Sequence, residues 1–182
     1  MKTLTICFVL DKSGSMESIA GDTIGGFNAF KRAQAAEPGH TRLALTLFDS
    51  TVQPMHPPIP IDEVADLSRA TYVPCGSTAL YDAVGAAIEA AQAAPSTGAT
   101  LVAVLTDGHE NASTKYTRAS LAALVAAKKQ AGWDFMYLGT TPENWDDAAA
   151  LGMSHTQFAP TAPGMAAAYR AVSSATAKMR GK

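Results

Sequence analysis

Two carboxylates and a group of hydroxyls stand where apolar stretches give way to polar loops. Asp11-Lys12-Ser13-Gly14-Ser15 follows the run Leu4–Leu10, and Thr106-Asp107-Gly108-His109-Glu110-Asn111 follows the run Leu101–Leu105. A third cluster, Gly76-Ser77-Thr78, precedes a helix-like stretch that begins at Leu80. Together the clusters offer oxygen donors and no obvious soft ligand, a set that suits Mg²⁺, Mn²⁺ or Ca²⁺ rather than zinc or copper. Mg²⁺ asks for near-octahedral oxygen geometry and gives up water reluctantly. Two serines, a threonine and two carboxylates acting partly through water meet that need. Gly14 and Gly108 let the backbone turn sharply beside these donors. Ser77 and Thr78 are adjacent hydroxyls, and either is able to reach an ion.

The rest of the chain reads as elements that position those loops. Leu4–Leu10 is nearly all apolar, as expected of a strand buried on both faces. From Ser18 to Ala36 the apolar Ile19, Ile24, Phe27 and Phe30 recur at helical spacing, and Pro38-Gly39 ends the segment. Leu43–Phe48 is a second strand, and Asp49-Ser50 turns into a third over Thr51–His56. Pro54, Pro57, Pro58 and Pro60 cannot donate to a ladder, so that strand belongs at an edge and is expected to stop early. Ile61–Thr71 reads as a loop with a short helix, Leu80–Ala94 as a helix with Leu80, Val84, Ile88 and Ala91 on one face, and 95–98 as a break. A strand over Leu101–Leu105, a helix over Arg118–Ala131 with Leu121, Leu124 and Val125 inward, and a strand over Trp133–Leu138 follow. Pro142 suits the first turn of a helix to Leu151. Ser154–Phe158 is a last short strand, and Met165, Tyr169, Val172 and Met179 mark a final helix. This rhythm implies an α/β, Rossmann-like, doubly wound sheet of six mostly parallel strands, with one antiparallel edge strand and helices on both faces. Ligands of such sheets lie beyond the carboxyl ends of the strands, where strand order reverses.

Asp-x-Ser-x-Ser after a buried first strand, a Thr in a later Gly-containing loop, and Thr-Asp-Gly after another buried strand resemble the metal-ion-dependent adhesion site (MIDAS) of von Willebrand factor A (VWA) domains. The resemblance spans nearly the whole chain, because the order of strands and helices also matches, and it implies one VWA domain over 1–182. Residue by residue, it places Asp11, Ser13, Ser15, Thr78 and Asp107 at the family's metal positions. Thr78 is preferred over Ser77 because Thr-Ala-Leu-Tyr-Asp-Ala is how bacterial members often continue. In the family the serine hydroxyls bind the ion directly, the threonine does so in the high-affinity form, and the aspartates act mainly through water. One coordination position is left for a partner's Glu or Asp. The family's sheet order puts the first strand beside the Leu101 strand, so that Asp11 and Asp107 face one ion. The run from Thr106 to Ser113, with Tyr116, is similar to small cytosolic bacterial or phage versions. Family members inside bacterial cells often work with AAA-type ATPases or in stress-response assemblies, here necessarily in trans.

Simpler roles compete at each position. Asp11 and Ser13 are common helix caps, as is Thr78 before the Leu80 helix. Asp107-Gly108 is also a common turn. Glu110 and Asn111 read either as solvated loop residues or as an outer shell of the site. His109 reads as solvent-facing, and Asp82 as outward-facing or a local cap. Met16, His56, Tyr72 and Tyr81 lie near the expected rim but fit core or plain surface.

Composition narrows the function. The net charge is −2, from 14 basic and 16 acidic residues, and no basic cluster marks a nucleic-acid surface. Apolar residues make up 47% and charged residues 16%, enough to build a core. No apolar stretch approaches the ~20 residues of a membrane span, and no secretory leader precedes the first strand. Cys7 and Cys75 form no disulfide or zinc pattern. Cytoplasmic residence is therefore the expectation, and the resemblance implies a metal-dependent protein-binding module. The alternative is an Mg²⁺-dependent phosphohydrolase using Asp11. Haloacid-dehalogenase enzymes, which use such an Asp, carry a second Asp two residues later, where this chain has Ser13. Neither Gly-x-x-x-x-Gly-Lys-[Ser/Thr] nor Gly-x-Gly-x-x-Gly occurs.

Overall fold

The computed structural model describes residues 3–94 and 98–181, apart from the side chain at 143. The expected break at 95–98 falls almost wholly outside the described residues. The elements are β1 (Thr3–Asp11), α1 (Ala20–Ala35), β2 (His40–Phe48), β3 (Val52–Pro60), α2 (Leu80–Ala93), β4 (Ala99–Leu105), α3 (Arg118–Gln130), β5 (Trp133–Gly139), α4 (Pro142–Ala150), β6 (Ser154–Gln157) and α5 (Ala162–Arg180). Short 3₁₀ turns cover Gly14–Ile19 and Ile61–Glu63. The sheet has six strands in the order β3-β2-β1-β4-β5-β6. All neighbours are parallel except β2 and β3. This is the expected doubly wound, Rossmann-like sheet with one antiparallel edge strand.

The pleat divides β1 between two cores. Leu4, Ile6, Phe8 and Leu10 pack on the side of α1 and α5, with the Phe8 ring edge-on to Phe27 and stacked on Tyr169. Cys7 and Val9 point the other way, into a core shared with α2, α3 and α4. Burial on both faces explains the nearly unbroken apolar run, since no position from Leu4 to Asp11 meets water. Gly26 brings α1 close to α5, because a methyl there would lie 2.4 Å from the Tyr169 ring.

Two expectations need correcting. The edge strand does not stop at His56 but pairs with β2 as far as Pro60. It gains an extra residue relative to β2 between Pro54 and His56, and another between His56 and Ile59. Such bulges let an edge strand carry prolines without breaking the ladder on its inner side. The first helix also starts differently: a 3₁₀ turn over Gly14–Ile19 precedes α1 and buries Met16 and Ile19. Met16 and Tyr72 are fully buried, as the core reading of them expects.

The reversal of strand order lies between β1 and β4. β1 leads through α1 to β2 on one side, and β3 returns through α2 to β4 on the other. Asp11 ends β1, and Thr106 follows β4 beside it.

Candidate metal centre

Three loops meet beyond the carboxyl ends of β1 and β4. The loop after β1 is tied to the loop before α2 by Gly14 N–H on Gly76 O (3.1 Å) and Cys75 N–H on Lys12 O (2.9 Å). The loop before α2 is tied to the loop after β4 by Asn111, whose N–H donates to Thr78 O (3.0 Å) and whose Oδ1 accepts from Thr78 N–H (2.8 Å). These hydrogen bonds bring together residues far apart in sequence.

Asp11, Ser13, Ser15, Thr78 and Asp107 converge there. The Ser13 and Ser15 hydroxyls are 3.3 Å apart, and Ser15 Oγ donates to Asp107 Oδ1 at 2.6 Å. A methyl built on Gly108 would lie 3.0 Å from Thr78 Oγ1 and 3.8 Å from both Asp11 Oδ2 and Ser13 Oγ. Gly108 thus lies close against oxygens of three candidate donors, and a side chain there would press on them. Asp11, Ser13 and Thr78 form a buried floor at 0%, 2% and 4% exposure. Ser15 is exposed and Asp107 half-buried, so the cradle opens to the surface on their side. Ser77 is exposed, and its N–H is bound to Ser50 Oγ.

The simpler capping roles do not describe these side chains. Ser13 sits at the start of the 3₁₀ turn, but its hydroxyl caps nothing. The residue at the start of α2 is Ala79, not Thr78. The first N–H groups of α2 are instead taken from the loop after β4. Glu110 accepts from Tyr81 N–H (2.8 Å), and Ser113 Oγ accepts from Asp82 N–H (3.0 Å). Glu110 also accepts from the N–H groups of Ala112 and Ser113. Asp82 faces the same loop and accepts from the N–H groups of Thr114, Lys115 and Tyr116. His109 stays half-exposed, 3.8 Å from Asp147.

The site's electrostatics follow from burial. Desolvation pushes the Asp11 carboxyl up to about 6, against hydrogen bonds from Thr106 and Ser13, and the nearby Asp107 adds to the rise. Asp107 is also raised by desolvation, with Ser15 pulling the other way. Two carboxylates facing one buried spot favour a compensating cation. The donors are all oxygen, and the described residues contain no cluster of three or more His, Cys, Asp or Glu able to hold a metal. Any ion here would have to rely on the hydroxyls, as a hard cation can and zinc or copper does not.

Several residues that the sequence brought near the site, without a role of this kind, support it from beneath. Thr106 Oγ1 donates to Asp11 Oδ2 at 2.6 Å and accepts from Gly108 N–H at 3.1 Å, fixing both carboxylate-bearing loops. Tyr72, fully buried, donates its hydroxyl to Asp11 O. Lys12 is buried against Asp49, which also accepts from Cys75 Sγ at 3.3 Å. That pair joins the β1 loop to the turn before β3.

No family model matches the chain, and no curated protein sequence matches it significantly. Solved structures do match. The PilB minor pilin of Streptococcus sanguinis, as a D319A mutant, aligns with a TM-score of 0.76 at 13% identity, covering 97% of this chain and 62% of that one. The vWF domain of the type V pili tip protein Mfa5 from Porphyromonas gingivalis aligns at 0.74 and 10% identity, covering 98% of this chain and 96% of that one. A von Willebrand factor type A protein from Catenulispora acidiphila aligns at 0.68 and 17% identity, covering 94% and 42%. This chain thus spans less than two thirds of the pilin and of the Catenulispora chain, and nearly all of the Mfa5 domain. At these identities the likeness concerns the fold, and the fold is that of VWA domains.

Proposed function

We propose that this VWA-fold chain is a metal-dependent protein-binding module, with Asp11, Ser13, Ser15, Thr78 and Asp107 as its MIDAS. The observation that carries the reading is the convergence of their oxygens from three loops, with Thr78 Oγ1, Asp11 Oδ2 and Ser13 Oγ beside Gly108 and Ser15 Oγ bonded to Asp107. Mg²⁺ is the proposed ion, with Mn²⁺ or Ca²⁺ as substitutes. Bound there, the ion would supply a positive centre with a coordination position for a partner's Glu or Asp carboxylate. Asp11 and Asp107 would offset its two charges, leaving room for one further anionic ligand. Ser15 and Asp107, on the open side, would border the docking carboxylate. The pilus proteins among the structural neighbours are compatible with a binding role. An AAA-type ATPase or a stress-response assembly acting in trans is the kind of partner suggested by the loop's likeness to small bacterial forms.

A binding role also suits Asp11 better than nucleophilic attack. Its side chain is fully buried, with Oδ1 accepting from Ser13 N–H at 2.6 Å and Oδ2 from Thr106. Ser13 stands where a phosphohydrolase of this type would need its acid.

Protein stripped with EDTA and then titrated with Mg²⁺ or Mn²⁺ should show a rise in melting temperature. Asp11→Ala should lose both that rise and EDTA-sensitive capture of a partner from native lysate. Absence of any metal-induced shift in the native protein would refute the proposal. Hydrolysis of a simple phosphate monoester that Asp11→Asn abolishes would replace it with the enzymatic reading.

A further inference from the structure

The peptide that carries Asp107 and Gly108 is held from outside the three loops. Asn144, in the first turn of α4, is fully buried. Its Nδ2 donates to Gly108 O at 2.8 Å. Its Oδ1 accepts from Thr140 N–H and Thr141 N–H, both at 3.0 Å, and from Thr141 Oγ1 at 3.1 Å. Thr140 Oγ1 in turn donates to Asp107 O at 3.3 Å. Both carbonyls of the Asp107–Gly108 turn are thus fixed by the segment joining β5 to α4. The approach is close because residue 139 is glycine: a methyl there would lie 2.6 Å from Asn144 Cβ.

We infer that Asn144, assisted by Thr140, is a positioning residue for the proposed ion site, an inference that rests on the metal-binding reading. Asn144 touches no proposed ligand atom and acts through Gly108. Its amide uses one end to close the first turn of α4 and the other to set the turn of the metal loop. A carboxylate or hydroxyl at 144 can serve the first purpose, but only a donor of this reach serves the second. The position of Asp107, and the width of the cradle beside Gly108, depend on that donor. Mg²⁺ tolerates little departure from octahedral geometry, whereas Ca²⁺ accepts irregular sites. Loosening the turn should therefore cost Mg²⁺ more than Ca²⁺.

Asn144→Asp tests this, because it keeps the acceptor for Thr140 and Thr141 and removes the donor to Gly108 O. Thr140→Val is a second, charge-free variant that frees Asp107 O. Mn²⁺ affinity read by paramagnetic resonance, with Mg²⁺ and Ca²⁺ as competitors at pH 7.5, gives the result independently of any partner. In Asn144→Asp the Kd for Mn²⁺ should rise at least tenfold, and the Mg²⁺ to Ca²⁺ affinity ratio should fall. Thr140→Val should move both in the same direction by a smaller factor. The melting temperature in EDTA should stay close to that of the wild type in Thr140→Val and fall in Asn144→Asp, where a buried carboxylate faces Gly108 O. Wild-type affinity and ion ratio in both variants would overturn the inference while leaving the metal site standing. So would a loss of affinity that follows lost folding, with the ratio unchanged. If the wild-type protein binds no Mn²⁺, the metal-binding reading fails and this inference fails with it.

Discussion

Gly108 is where the cradle is most exposed to a single change. Its φ does not lie in the left-handed region, so alanine is acceptable to the backbone there. A methyl would lie against Thr78, Asp11 and Ser13, 3.0 Å from the Thr78 hydroxyl. Gly108→Ala should therefore cost no more than about 1–2 kcal/mol of unfolding free energy, since the loss of unfolded-chain entropy offsets part of the overpacking against Thr78. It should also weaken Mg²⁺ binding more than tenfold in calorimetric titration. Wild-type affinity in this variant would show that the ion sits elsewhere. The donors were readable in the sequence because each follows an apolar run and has a residue type that binds hard cations. The supporting contacts of Thr106, Tyr72 and Asn144 were not, and Asn111 was legible only as a candidate for the outer shell of the site. These residues act on backbone groups or on a partner as many as 95 positions away, and such contacts leave no periodic or compositional mark.

At the scale of elements, α2 and the long loop 106–117 form one unit. The loop caps the helix through Glu110 and Ser113, and the helix holds the loop through Asp82. Tyr116 packs over Gly85, where a methyl would lie 2.2 Å from its ring. Asp82→Ala should free three backbone donors at once. The expected cost is about 1–3 kcal/mol, the usual worth of hydrogen bonds to a charged group. Cleavage by trypsin after Lys115 should become fast, while the wild type resists at that bond. Equal cleavage rates would show that the loop does not depend on Asp82. Element types and order were legible from periodicity alone, because the central strands are buried on both faces and the helices on one. The course of β3 was not. Its prolines argue for an early end, and only the pairing with β2 shows how two bulges carry the strand to Pro60.

Across the whole molecule, two buried carboxylates set opposite pH dependences. Burial raises Asp11 from an ordinary 3.8 to about 6. A raised carboxyl contributes stability that is fully present below pH 3.8 and lost as pH rises through about 6. Asp49 is resisted by burial but pulled down to about 2, mainly by Lys12 and then by Thr51 and Cys75. Its contribution is present above pH 3.8 and lost as pH falls through about 2. So far as these groups decide it, the ion-free protein is most stable near pH 4 and loses about 3 kcal/mol toward neutrality through Asp11. An ion needs Asp11 as carboxylate, so protons compete with it below pH 6. Mg²⁺ should accordingly raise the melting temperature strongly at pH 7.5 and hardly at pH 5. Urea unfolding in EDTA at pH 4.5 and 7 provides the matching test without metal. Asp11→Asn, which cannot ionise, should lose markedly less stability over that interval than the wild type. Equal losses in the two proteins would mean that the carboxylate at the end of β1 is not strained by burial, and that an ion has no electrostatic deficit there to relieve.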